Sequence, residues 1–237
     1  MSQENNALNT HLRLFETLRD QEVSRFPSPK DRLGYADAIA HCFMPCAKHV
    51  LAGHFKVLSR KIYPTAIELY YHEEGAGRFK DPIMYHTNDR KLAEHEDYFI
   101  NRGITELPYF PFGSLHPHTS GIDVTFENPQ EQYRASLLIR EYEVDYGDGK
   151  RHLVKNSTDI YDDMLVAGIP LENLDWIEWC DGEMLKEEDI VRRWRRNVPD
   201  YRQVEGRWVK NTEGEPSFVS SGVRYAKCPF DWQFARK

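Results

Sequence analysis

Ala66-Ile67-Glu68-Leu69-Tyr70-Tyr71-His72 is the stretch on which the reading of this chain turns. It is short, apolar and aromatic, which is the composition of a β-strand. In a strand, residues i and i+2 point to the same face, so Glu68 and Tyr70 stand side by side. A carboxylate beside an aromatic ring can activate a water and can hold a flat ligand by stacking. Upstream, residues 54–59 read as another strand, with a turn at Tyr63-Pro64 before the quoted segment. Downstream, residues 121–127 and 134–146 read as two more strands.

Helices are expected around these strands. Residues 6–25 place Leu8, Leu12, Phe15 and Leu18 on one stripe, and Pro27 and Pro29 break it. A second helix starts at Asp31, is interrupted at Pro45 and closes at Gly53. Residues 87–105, 157–167 and 187–196 also read as helical, whereas 107–119, rich in proline, phenylalanine and histidine, reads as an ordered loop. Short strands and turns fill the C-terminal part. Hairpin-like pairs outnumber any βαβ rhythm. The expectation is therefore an α+β fold with a central antiparallel or mixed sheet surrounded by helices. It forms one structural domain, in which residues 1–45 are a helical extension packed on a core of residues 46–237.

Of the 237 residues, 40% are apolar and 29% charged, a balance that suits a soluble globular chain rather than a disordered one. No apolar run approaches the ~18 residues of a membrane span. Residues 1–10 lack the basic-then-apolar pattern of a secretory leader, so the expected location is cytoplasmic. Cys42, Cys46, Cys180 and Cys228 contain no CxxC pair and read as free thiols. The net charge of −7 and a pI near 5.8 argue against indiscriminate nucleic-acid binding. The charge is unevenly spread. Residues 157–189 hold eleven acids and one base, and residues 190–237 hold eleven bases and five acids. That last segment contains Arg192, Arg193, Arg195 and Arg196 among aromatics, a mixture that suits a phosphate backbone. A solvated helix face paired with the preceding acids is the plainer alternative.

Each chemical candidate has a plain alternative beside it. Glu68, between Ile67 and Leu69, is either a pocket carboxylate or a surface group on an edge strand. His86 is a ligand-facing ring or an ordinary core or loop histidine, and Arg140 is a site residue or the ion-pair partner of Glu141 or Glu68. His116 and His118, with His72, His86 and Asp123, contain the donors of a zinc-type site, although Pro117 between them fits a loop better than a central strand. No Gly-x-Ser-x-Gly elbow is present, and Gly75-Ala76-Gly77 lacks the lysine and serine of a P-loop.

The order of several pieces resembles the alkyladenine (3-methyladenine) DNA glycosylase family. These are Ala47 to Gly53, Ile67-Glu68-Leu69-Tyr70, the turn from Asp81 to His86, Gly113-Ser114-Leu115 and Ser120-Gly121. Leu137-Leu138-Ile139-Arg140, the helix after Ser157, and Pro229-Phe230-Asp231-Trp232-Gln233-Phe234 complete the series. The resemblance implies the glycosylase fold and no cofactor or metal. It implies Glu68 as the base that activates water and Arg140 beside the attacking water or a phosphate. Tyr70 and His86 would sandwich an extruded base, as aromatic faces suit an electron-poor alkylated purine. His118 stands where the family has a second stacking tyrosine, and Glu127 stands near its base-reading asparagine. Ser120 replaces the tyrosine that wedges into DNA, and a hydroxyl cannot fill the gap left by a flipped base.

The function expected on this basis is cleavage of the N-glycosidic bond of a damaged purine, with duplex or single-stranded DNA as partner and the protein a monomer. Two alternatives stand beside it. One is a binding module of the same fold for a flat small ligand or single-stranded nucleic acid. The other is a histidine-based, metal-dependent hydrolase.

Overall fold

The computed structural model describes residues 6–23, 32–81, 83–84, 86–88, 101–103, 106–165, 177–195, 201–204, 207–210, 218–220, 223–225 and 230–237. The chain opens with two helices, α1 (Asn6–Val23) and α2 (Arg32–Ala52). A hairpin follows, β1 (His54–Val57) and β2 (Arg60–Glu73). Then come β3 (Leu115–His118), β4 (Gly121–Thr125), the long β5 (Tyr133–Asp145) and β6 (His152–Val154). A 3-10 turn, Ser157–Asp159, leads into the single helical turn α3 (Ile160–Met164). The remaining strands are β7 (Ile177–Cys180), β8 (Ile190–Arg193), β9 (Tyr201–Val204), β10 (Arg207–Lys210), β11 (Phe218–Ser220), β12 (Val223–Tyr225) and β13 (Gln233–Arg236).

Among the described residues, nine strands form one sheet, ordered β3-β4-β5-β2-β1-β7, with β6 beside β5 and β13 between β2 and β8. Every pairing in it is antiparallel. The α+β expectation therefore holds, with the sheet antiparallel throughout its described part. One edge of β2 is shared, since β1 pairs at residues 60–62 and β13 at residues 66–68.

Register divides the sheet into two faces. Ile67, Leu69 and Tyr71 of β2, Leu137 and Ile139 of β5, Val124 of β4 and Phe234 of β13 join one core with Leu8, Leu12, Phe15, Phe43 and Val50 of the helices. Phe15 makes edge-on contacts with Phe43, Tyr71, Phe126 and Tyr133. Each such side chain contributes roughly 1.5–3 kcal/mol on burial. α1 is also tied to the sheet by polar groups. Buried Arg19 donates from Nε to the Tyr71 hydroxyl at 2.8 Å and from Nη2 to Glu73 Oε1 at 3.4 Å. Tyr71 and Tyr35 donate to the same carboxylate oxygen.

Several local expectations are corrected. α2 runs unbroken through Pro45. Its flank of Ala40, Phe43, Cys46, Ala47 and Val50 is buried, while the carbonyl that Pro45 cannot meet belongs to exposed His41. The division between residues 45 and 46 thus falls inside a helix, and residues on both sides of it share the core. Tyr63-Pro64 is no turn. β2 passes through it with register shifts at Pro64/Ala66 and Ala66/Ile67, where proline is tolerated. Residues 115–118 form a strand rather than a loop, because β3 ends the described sheet and an edge position spares Pro117 a ladder bond. The helix expected over residues 187–196 is not found over their described part, 187–195. After one 3-10 turn at Glu187–Asp189, Ile190 to Arg193 pair with β13, so tertiary pairing overrides helical spacing. Most of the helix expected over 87–105 lies outside the described residues, as do residues 166 and 167 of the one expected after Ser157. Gly53 closes α2 as expected, and for a steric reason: a Cβ there would lie 2.2 Å from Trp179 Cζ2.

Candidate active site

The second face of the sheet is polar and buried. Its pairing sets His116 opposite Asp123, Asp123 opposite Leu138, Leu138 opposite Glu68, and Glu68 opposite Gln233. Beside this row, Thr125, Ser136 and Tyr70 line up, and His72 pairs with Arg134. Glu68 is fully buried. Its Oε2 lies 2.8 Å from Arg140 Nη2 and accepts the Tyr70 hydroxyl at 3.0 Å, while Oε1 accepts Gln233 Nε2 at 3.1 Å. Burial and the Glu68 charge push the Tyr70 phenol well above its ordinary range, so it remains a hydrogen-bond donor. Burial works against the Arg140 cation, but Glu68 and Tyr70 outweigh it and hold the guanidinium charged.

Arg140 is aimed by its neighbours. Its Nη1 donates to Ser157 Oγ at 3.2 Å, and Ser157 Oγ donates to the Ser120 carbonyl at 2.6 Å. Ser120 therefore serves by its backbone, as an anchor for the loop beneath Arg140. Next to it, Gly121 has φ +138°, and a Cβ there would meet the Ser157 carbonyl at 3.0 Å, so glycine is required twice over.

The imidazoles meet carboxylates. His118 Nε2 lies 3.1 Å from Asp123 Oδ1, and Ser136 donates to Asp123 Oδ2 at 3.1 Å. Burial alone would raise the Asp123 carboxyl; the His118 hydrogen bond and charge, the His86 charge and the Ser136 hydroxyl hold it below its usual value. His86 Nε2 lies 2.8 Å from Glu127 Oε1. Glu127 Oε2 accepts the Phe110 amide at 2.7 Å and Arg134 Nη1 at 3.2 Å. Among the described residues, the rings of Phe110 and His116 lie by His86, with centres at 5.3 and 6.4 Å. Glu127 is therefore held within an ion-pair cluster rather than standing as an open reader of a base edge. Among the described residues, no group of three or more His, Cys, Asp or Glu side chains is placed to hold a metal ion. Of the donors of the metal alternative, His118 and Asp123 face each other, and His86 faces Glu127, which is not one of them.

The basic run is dispersed. Arg195 is buried, and its Nη1 and Nη2 reach Asp81 Oδ2 and Oδ1 at 2.7 and 3.0 Å. Its guanidinium lies 4.9 Å from the Tyr70 ring centre and 5.2 Å from that of Trp232. One face of Tyr70, expected to stack on a base, is thus occupied from within the protein. Arg192 reaches Asp37 and Asp231 at 2.9 and 2.5 Å. Arg193 is exposed, and Arg196 lies outside the described residues. Sequence reasoning missed Gln233, Ser157, Ser136 and Arg134 as parts of this network. Each reaches it through pairing with a distant strand or through a loop, and only the position of Gln233 in the C-terminal Trp-Gln-Phe run hinted at a role.

A cleft of about 500 Å³, lined among others by Glu74, Gly75, Asn88, Glu106, Tyr109 and Gln132, lies at the Arg134 end of the face rather than at Glu68. Arg134 engages two of the lining residues, donating to Glu74 Oε1 at 2.6 Å and covering the Tyr109 ring at 4.2 Å. No described helix is long and apolar enough to cross a membrane. No family model matches the chain, and no curated protein or solved structure matches it.

The buried rings give a pH prediction. Burial, followed by the Lys80 charge, pushes His72 well below its ordinary value. Burial, followed by a neighbouring histidine, lowers His49 through His11 and His116 through His86. A histidine whose folded pKa is depressed contributes stability above its unfolded pKa of 6.5 and loses it as pH falls through the folded value. The urea midpoint is expected to be level above pH 6.5 and to drop progressively below it, well before the depressed Asp123 and Asp181 carboxyls begin to act below 3.8. A midpoint constant from pH 8 to about pH 5 would show that these rings protonate as freely folded as unfolded.

Proposed function

We propose that this protein is a glycosylase-type hydrolase that cleaves the N-glycosidic bond of a damaged purine in DNA, with Glu68 as the base that activates water. The observation that carries this reading is the carboxylate at the centre of the polar face, engaged by Arg140 at 2.8 Å, Tyr70 at 3.0 Å and Gln233 at 3.1 Å. Arg140 supplies positive charge beside the place where the attacking water loses its proton. Tyr70, partly exposed, offers an aromatic surface next to the carboxylate. His118, at 13% side-chain exposure, is the more open of the two paired imidazoles.

The test is single-turnover base release at excess protein from duplex and single-stranded oligonucleotides carrying one alkylated or deaminated purine. Release from either is expected. A folded protein that releases nothing from both would remove the reading. One observation favours the alternative of a binding module without cleavage. Arg192 and Arg195, two of the four cations expected to meet phosphate, are spent on Asp37, Asp231 and Asp81 inside the fold. Salt-dependent binding to single strands with no product would support that alternative.

A further inference from the structure

We propose that the cleft at the Arg134 end of the sheet is a binding site for a small organic cation, an ammonium or guanidinium group carried on an apolar stem. The inference stands apart from the reading of Glu68 and uses none of the residues around that carboxylate. The cleft holds about 500 Å³, the size of a small-molecule site, and Glu74, Glu106, Tyr109 and Gln132 come to it from three separate stretches of chain.

Its walls are tied to one another. The Glu74 amide donates to the Gln132 carbonyl at 2.8 Å, and Arg78 Nη2 donates to the Glu131 carbonyl at 3.0 Å, which joins the loop after β2 to the turn before β5. Asn88 closes a third side. Its amide donates to Glu74 Oε1 at 2.9 Å, and its Oδ1 accepts the Leu107 amide at 2.7 Å. Walls already in place need no ordering when a ligand enters.

The sign of the charge selects the ligand. Arg134 is fully buried, and each of its three nitrogens is engaged. Nε meets Glu74 Oε1 at 2.6 Å, Nη1 the Pro108 carbonyl at 2.9 Å and Glu127 Oε2 at 3.2 Å, and Nη2 the Leu107 carbonyl at 2.7 Å. It is committed away from any anion, and its single charge is shared between two carboxylates. Arg78, on the neighbouring loop, turns to Glu73 at 3.5 Å. Glu106 adds a further carboxylate; it is exposed and, among the described residues, has no ion pair or hydrogen bond. Burial, then the charges of Glu74, Glu127 and Glu106, raise the Tyr109 phenol against the opposing Arg134 charge, a second mark of the same negative field.

A cation has complementary groups to meet here. Its N–H donors match the Glu106 carboxylate and the Gln132 amide oxygen, and its stem matches the Tyr109 ring and Pro129. Arg134 covers one face of that ring at 4.2 Å, so the ligand takes the part of it that lines the cleft. A neutral or anionic molecule would leave the Glu106 charge unmet.

The experiment is titration calorimetry of the full chain with spermidine and, separately, with agmatine, at low and at physiological salt. Saturable binding of at least one of them at a single site is expected. Glu106→Gln should weaken it by roughly tenfold or more, the effect of losing one hydrogen bond to a charged group. Tyr109→Leu should weaken it roughly two- to five-fold. Glu188→Gln makes the same charge change on the 3-10 turn before β8 and should leave binding within about twofold of wild type. An unchanged urea midpoint establishes that each variant is folded. Equal losses in Glu188→Gln and Glu106→Gln, or heat that never saturates, would show only the general attraction of a chain of net charge −7 for cations and would overturn the site. Binding untouched by Glu106→Gln, or no binding of either amine by wild type, would overturn it as well. Base release is not the readout, so the fate of the Glu68 reading is decided separately.

Discussion

Glu68→Gln is expected to lower single-turnover base release by roughly 10²–10⁴-fold, the range that a positioned general base contributes. Sequence alone suggests that this change would spare the fold. The structure predicts a second effect. Arg140, at 9% side-chain exposure, has Glu68 as its carboxylate partner at 2.8 Å, and removing one member of a buried pair typically costs about 3–5 kcal/mol. The glutamine retains one acceptor oxygen, so a loss near the lower end, roughly 3 kcal/mol, is expected in urea unfolding. The two effects separate in the double variant Glu68→Gln/Arg140→Met. With both charges gone, stability should return most of the way, while base release stays lost. A single variant that releases bases at the wild-type rate would show that Glu68 is only the anchor of Arg140.

Arg195→Ala carries the second large effect, and it falls on the fold. Buried Arg195 holds Asp81 with two hydrogen bonds and lies over Tyr70 and Trp232. Truncation leaves the Asp81 carboxylate buried without its cation and opens a space beside the rings of Tyr70, Phe230 and Trp232. The expected loss is roughly 3–5 kcal/mol. Arg193→Ala, at an exposed position, should leave the urea midpoint near wild type. If nucleic acid binds through this segment, Arg193→Ala should instead reduce the slope of log affinity against log salt by about one. Wild-type stability in Arg195→Ala, together with a shallower salt slope, would restore Arg195 as a phosphate contact.

Local periodicity leads to the right elements. Alternation in residues 66–72 and 134–146 yields β2 and β5, and the stripe of Leu8, Leu12 and Phe15 yields α1. Where neighbours far along the chain decide, local reading failed. Ile190 to Arg193 are drawn into the sheet by β13, some forty residues later, and Pro64 is carried within β2 by its pairing with β5, in the gap between β1 and β13 on the other edge. The site shows the same division. Glu68 and Tyr70 were legible because they share a strand face. Arg140 was legible as an ion-pair partner, and Glu68 proves to be that partner rather than the adjacent Glu141. That His86 would meet Glu127, or Arg195 meet Asp81, could not be read, since the pairs are 41 and 114 residues apart and nothing local fixes them.

The two-faced sheet links folding to chemistry. Slipping β2 by one residue against β5 would turn Glu68, Tyr70 and His72 toward the helices and expose Leu69 and Tyr71 to the cations of the other face. Arg140 would lose Glu68 and Tyr70 in the same movement. The charged groups therefore act as a lock on strand alignment, rejecting misaligned pairings that a uniformly greasy sheet would accept. If selection ever removed the demand for catalysis, the same residues would still be retained to keep the strands in step, and an inactive descendant could carry what looks like a complete active site.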